Sequence, residues 1–217
     1  MAIEPAVKRT IVFVDGQNLF HAAKDCLQYT YPNYDPLALA QLICTRQGWQ
    51  LDQVCFYTGI PHPRRDAPWH GFWSNKLAQM GREGVVCCHR PLRYRKERVE
   101  LADGSMEYVT VKEEKGIDVR IALDVIRLAR QRKYDVAVIV SQDQDFAEVA
   151  SEIRDLAAAQ HRWIRIASAF IHENNAFPRG IRDTQWLPLT KADYDSCIDT
   201  RDYRPKSPAQ LPLIPPS

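Results

Sequence analysis

The chain of 217 residues carries 29 basic and 27 acidic side chains, a net charge of +2, with 45% hydrophobic and 26% charged residues. That length supports one sizeable core and leaves too little chain for two full domains, and the composition is that of a folded protein rather than a disordered one. A charge so near zero excludes a protein that coats nucleic acid with its whole surface, so any phosphate contact must come from local patches.

In chain order, residues 10–14 (TIVFV) are a short apolar, β-branched run that reads as a strand buried on both faces. Asp15-Gly16 ends it, and a helical segment follows to about residue 28. Asp35-Pro36 starts a second helix, with the acid as N-cap and proline in the first turn; Leu39, Leu42 and Ile43 give it an apolar face. Residues 54–57 are a second strand, 67–82 a helix stopped by Gly84, and 85–88 a third strand. Residues 93–111 break the pattern: Val99 and Leu101 alternate with charge, Asp103-Gly104 signals a two-residue turn, and Met106, Tyr108 and Val109 follow, as in a β-hairpin. A helix over 117–131 places Ile121, Val125 and Leu128 at helical spacing; a strand at 136–140, a helix at 145–159 and a strand at 163–167 complete the series.

This alternation predicts an α/β fold: three layers, α/β/α, with a central, mostly parallel sheet of order 3-2-1-4-5 and a hairpin inserted at about 93–112. The expected domain runs over residues 8–200. The segment 204–217, with Pro205, Pro208, Pro212, Pro215 and Pro216, is expected to be an extended or disordered tail. No run of about 18 apolar residues is present to cross a membrane, and Asp15 interrupts the first apolar run too early for a signal peptide. With six cysteines and no C-x-x-C pair, the expectation is a reduced, cytoplasmic protein.

Three segments concentrate acids at strand ends or helix starts: Asp15 to Asn18, Lys115 to Asp118, and Ser141 to Phe146. In a doubly wound sheet, residues just past the C-terminal ends of the strands face one crevice, deepest where the strand order reverses. With the first and fourth strands adjacent, Asp15 and Asp143 meet there, and Asp118, opening the preceding helix, reaches the same edge. Crowded carboxylates repel, and a hard divalent cation relieves that repulsion. Each acid taken alone reads equally well as a helix cap; capping does not require the three segments to converge. Asp124, about 120° around the helix from Asp118, reads first as a solvated helix acid and second as a support behind the crevice.

The same three segments resemble the NYN family of PIN-like ribonucleases, the group that includes the LabA-like and DUF88 proteins. The family pattern is an apolar strand ending in Asp with a following Asn-Leu, then Lys-Gly-x-Asp on a helix, then Ser-Gly-Asp-Ser-Asp-Phe after a strand. Here Asp15 with Asn18-Leu19, then Lys115, Gly116 and Asp118, then Ser141, Asp143, Asp145 and Phe146 carry the match, and Asp124 falls where the family often has a further Asp. The family glycine is Gln142 in this chain; if that glycine needs a positive φ, Gln142 must adopt another turn. The resemblance implies an endoribonuclease dependent on Mg²⁺ or Mn²⁺, acting on single-stranded RNA. It assigns metal binding, directly or through water, to Asp15, Asp118 and Asp143, orientation of water or of a second ion to Asp145, and support of the carboxylates or phosphate to Asn18 and Ser141.

Arg93, Tyr94, Arg95, Lys96 and Arg98 form the densest basic stretch and are candidate RNA contacts; a solvated hairpin edge kept basic against aggregation reads equally well. His62, Arg64, Arg65, Trp69 and Trp73 make a second mixed stretch, whose tryptophans are expected in the core. Cys87-Cys88-His89 lacks a matching pair for zinc. No phosphate-binding G-x-x-x-x-G-K-[ST] and no dinucleotide G-x-G-x-x-G occurs, and the first strand ends in Asp15-Gly16-Gln17 rather than the Asp-x-Asp of an aspartyl-phosphate phosphatase. The rival to an enzyme is a non-catalytic RNA-binding or partner-binding module on the same scaffold, and the sequence leaves open a homodimer or a protein partner.

Overall fold

β1 (Arg9–Asp15) is buried at every residue after the first, and β6 (Val136–Val140) throughout. Strands without a wet face need cover on both sides, which a parallel sheet flanked by helices supplies. The computed structural model, which describes residues 2–100, 105–172 and 179–205, has that form. Six parallel strands run in the order β3-β2-β1-β6-β7-β8, with β2 at Gln50–Ile60, β3 at Val86–Pro91, β7 at Arg165–Ile171 and β8 at Gln185–Leu189. Alternation along β1 divides the core. Val12 and Val14 face α1 (Gly16–Leu27), α2 (Pro36–Gln47) and α3 (Ala67–Arg82); Ile11 and Phe13 face α4 (Ile117–Arg130) and α5 (Ala147–Ala159). Among the described residues no helix is long and apolar enough to cross a membrane.

Local chemistry sets the boundaries. The Asp35 carboxylate accepts from the N–H groups of Leu37 and Ala38, with Pro36 in the first turn, and Gly48 closes α2 at φ 66°. The inserted hairpin is a separate two-stranded sheet of β4 (Arg93–Glu100) and β5 (Met106–Glu113). Its expected turn at Asp103-Gly104 lies outside the described residues, as does the proline-rich tail from residue 206 on.

The expected order holds for the first five core strands, with β1 beside β6. A sixth, β8, and the short α6 (Lys191–Asp195) extend it. β8 escapes a sequence reading because Pro188 interrupts it. At the edge of the sheet a missing N–H costs no ladder bond, so proline is tolerated there. β2 begins four residues before the expected strand because its first half alternates exposed and half-buried side chains rather than running apolar. The helix expected from residue 145 opens instead as a 3-10 turn, Gln144–Phe146, before α5.

One tight contact lies where β1 becomes α1. A Cβ on Gly16 would fall 2.5 Å from the Phe56 ring and 2.9 Å from the Tyr57 carbonyl oxygen. Phe56 is fully buried and stacks on Trp73, so it has little room to yield. Gly16→Ala is therefore expected to destabilise by about 1–3 kcal/mol through overpacking, outweighing the gain of up to ~1 kcal/mol that alanine brings to a helix. Urea denaturation measures this; an unchanged or higher midpoint would show that the ring moves aside.

Candidate active site

Asp15 ends a strand buried on both faces and stays only 8% exposed. Its carboxylate caps α1, with Oδ1 accepting from the Asn18 N–H at 3.0 Å. Oδ2 lies 3.5 Å from the Ser141 hydroxyl, just past the end of β6. The Ser141 hydroxyl also accepts from the Asp143 N–H at 3.2 Å, and the Asn18 side-chain oxygen accepts from the Gln142 N–H at 3.0 Å. Two neighbouring strand ends are thus stitched together by small polar groups, and Asp143 is brought beside Asp15. Burial pushes the Asp15 carboxyl up to about 6, partly countered by the Asn18 bond and reinforced by the charge of Asp143.

Asp143 is a cap as well: its Oδ1 accepts from the Asp145 N–H at 3.0 Å and starts the 3-10 turn, leaving the Asp145 side chain exposed. Gln142 is not among the residues with positive φ, so it fits the turn in an ordinary backbone conformation. Its backbone serves Asn18, and its side chain reaches the Arg179 carbonyl at 3.5 Å. Asp118 lies exposed in the first turn of α4, which begins at Gly116 in the left-handed conformation, φ 75°.

A further acid, Glu114, joins this set and was not singled out from the sequence. It follows β5 directly, and its Oε2 accepts from the Gly59 N–H. Burial pushes its carboxyl up to about 7, with the charges of Asp15 and Asp118 adding to the rise. Glu114 thereby links Asp15 to Asp118 electrostatically. Gly59 makes room for it: a Cβ there would fall 2.7 Å from Glu114 Oε2 and 2.3 Å from Leu92. The sequence signal available was Gly59, two residues past the strand expected at 54–57 and inside the observed β2, a mark of close approach by another group. Glu114 itself was hidden as the second of two glutamates at the foot of a charged hairpin.

Asp124 corrects the expectation of a solvated acid. It is 6% exposed and accepts from Arg120 at 2.8 Å, Arg127 at 2.8 Å and the Tyr57 hydroxyl at 3.1 Å. The two guanidinium groups hold its carboxyl below the usual range despite opposing burial. Its position on α4 points inward to the sheet, and its oxygens are committed to those partners. Of the tryptophans, Trp73 is core as expected, whereas Trp69 is 38% exposed. Cys87 and Cys88 are consecutive residues of β3 and so point to opposite faces of the sheet, which argues against a shared zinc.

The donors at the crevice are carboxylate oxygens, the ligands that Mg²⁺ and Mn²⁺ prefer. Burial and neighbouring negative charge both disfavour ionised Asp15 and Glu114, which a cation would offset. Among the described residues no three His, Cys, Asp or Glu side chains converge as a ready-made metal cage. The acids suit an ion that keeps several of its own waters.

One consequence concerns stability. The Asp15 pKa is raised from 3.8 to about 6 in the fold, so the folded state holds a proton that the unfolded chain has released. Stability is lost as pH rises from about 4 to about 6 and stays reduced above that. An asparagine at this position keeps the cap without the charge, so in chelator Asp15→Asn should be more stable than the parent at pH 8 by about 2–3 kcal/mol. The gap should shrink through pH 6 and vanish below about pH 4. Urea titrations across that range test it; equal stability at pH 8 would show that Asp15 ionises without strain.

Comparison with known proteins gives a family and a fold. A family model for the NYN domain matches residues 9–161, from the start of β1 to just beyond α5. No curated protein matches the chain. A crystal structure of a protein of unknown function from Vibrio parahaemolyticus is similar with a TM-score of 0.51, covering 88% of this chain and 99% of that chain at 17% identity, a likeness of fold alone. The matched span takes in both strand ends at the crevice and the start of α4, and on that basis the chain belongs to the NYN domain family, a family of PIN-like ribonucleases.

Proposed function

We propose that this protein is an endoribonuclease that hydrolyses phosphodiester bonds of single-stranded RNA with Mg²⁺ or Mn²⁺, acting in the cytoplasm through a domain spanning residues 8–200. The observation that carries the reading is the pairing of buried Asp15 with Asp143 across the β1–β6 boundary, in a chain of the NYN family. Asp15, Asp118 and Asp143 hold the cation, directly or through water. When bound, the cation lowers the pKa of a water and offsets charge on the phosphate oxygens. Asp145, exposed beside Asp143, orients the attacking water. Ser141 and Asn18 keep the strand ends in register, and Glu114 adds negative charge at the Gly59 edge.

The observation favouring a non-catalytic RNA-binding module is that no three acids converge tightly among the described residues. The two readings separate by assay. A labelled single-stranded RNA should be cut with Mg²⁺ or Mn²⁺ and spared in chelator, and Asp143→Asn and Asp15→Asn should each abolish cutting. Glu114→Gln, which retains the acceptor for Gly59, should slow cutting by roughly tenfold, in the range of groups that support a metal site. Asp124→Asn should keep activity and lose about 1–2 kcal/mol of stability. Two charge-assisted bonds weaken, but Arg120 and Arg127 are 43% and 54% exposed, so solvent screens them. Cutting that survives chelation would reject metal chemistry, and binding without cutting under every divalent ion would establish the non-catalytic module.

A further inference from the structure

The inserted hairpin sorts its charges by face. In an antiparallel pair, directly opposed residues share a face and successive residues alternate. The register Tyr94↔Lys112, Lys96↔Thr110 and Arg98↔Tyr108 therefore gathers Tyr94, Lys96, Arg98, Tyr108, Thr110 and Lys112 on one side, with no acid before Glu100 at the far end. The other side places Arg93 and Arg95 among Glu97, Glu107 and Glu113. There Arg95 pairs with Glu97 at 3.0 Å and approaches Glu113 at 4.0 Å, so that side neutralises itself.

The basic side is built for more than solubility. Tyr108 is 66% exposed, a large ring turned to solvent directly opposite Arg98. Lys96 and Arg98 are exposed and stand two residues apart, about 7 Å along the strand, a spacing close to that of successive phosphates in an extended strand. The foot of this side is fixed. The Tyr94 hydroxyl accepts from the His62 N–H at 3.0 Å, the Arg65 guanidinium lies 4.8 Å from the centre of the Tyr94 ring, and Lys112 pairs with Asp66. That loop follows β2, which runs three residues past the end of β1, so the basic side leads down toward the acidic crevice.

We propose that the Lys96–Arg98–Tyr108 side of the hairpin is the RNA-docking surface, taking phosphates on Lys96 and Arg98 and a base on the Tyr108 ring, with Arg93 and Arg95 facing away. The inference rests on the ribonuclease reading and deepens it. Charge complementarity alone would also admit an acidic protein; the exposed ring beside paired cations favours single-stranded RNA, whose bases stack on aromatics while its backbone follows positive charge.

The test is binding of the full chain to a fluorescein-labelled single-stranded RNA, followed by anisotropy in chelator over a range of salt. The joint change Lys96→Ala and Arg98→Ala should weaken binding at least about tenfold and lower the salt slope by about 1.4, at roughly 0.7 per phosphate on a single strand. Tyr108→Ala should weaken binding by about tenfold with the slope unchanged, as loss of one stacked base does. Arg93→Ala with Arg95→Ala should stay within about twofold of the parent, although it removes the same charge. Equal losses from the two pairs, or none from the first, overturn the proposal. Polyglutamate competing as well as unlabelled RNA overturns the choice of RNA. A parent that binds RNA through this side but never cuts it sinks the ribonuclease reading alone, and a parent that binds no RNA sinks both.

Discussion

A charged group is anchored where the fold leaves least room for water. β1 lies between β2 and β6 with apolar cover on both faces, and it ends in the Asp15 carboxylate. Desolvating a carboxylate is costly unless hydrogen bonds or opposite charge compensate. Here the compensation from protein is partial: the backbone N–H groups of Asn18 and Gln17 and a distant serine hydroxyl. Most of the local architecture follows from holding that group in place. Gly16 lets α1 start against Phe56 and Tyr57, the Tyr34 hydroxyl donates to the Gly16 carbonyl at 2.8 Å from below, and Asn18 reaches across to the backbone after β6.

Capping and function are often weighed against each other when an acid sits at a helix start. In this protein they coincide. Asp15 caps α1 and Asp143 caps the 3-10 turn, and each does so with one carboxylate oxygen. The cap fixes the side-chain torsion, so the remaining oxygen is aimed by the backbone rather than by a flexible side chain. Asp124 is the contrast: both its oxygens are committed to arginines and a tyrosine, and it stabilises the α4 face of the sheet.

The parallel core was legible because its strands are unbroken apolar runs, and the adjacency of β1 and β6 followed from the rules of doubly wound sheets. β8 was not legible, since an edge strand with a proline and a mixed burial pattern carries no such run. Asp124 was misread because helical angle gives direction but not the partners waiting there. Glu114 needed a contact between segments 55 residues apart. The hairpin shows the limit most clearly. Its existence was plain from alternation and turn residues, but the composition of its faces depends on register. A two-residue turn at Asp103-Gly104 would pair Glu100 with Glu107, and the observed register pairs it with Met106. That single step decides whether Lys96 and Arg98 share a face with Tyr108 or with Val109 and Val111.

Gly59 touches both ends of the insertion at once: Leu92, just before β4, and Glu114, just after β5. Two eight-residue strands make an arm of roughly 26 Å at ~3.3 Å per residue, and its foot is held at two places, Gly59 and the loop of His62, Arg65 and Asp66. The insertion is mechanically a bracket braced at its base, so a pull at the far end is shared between two anchorages instead of falling on Glu114 alone.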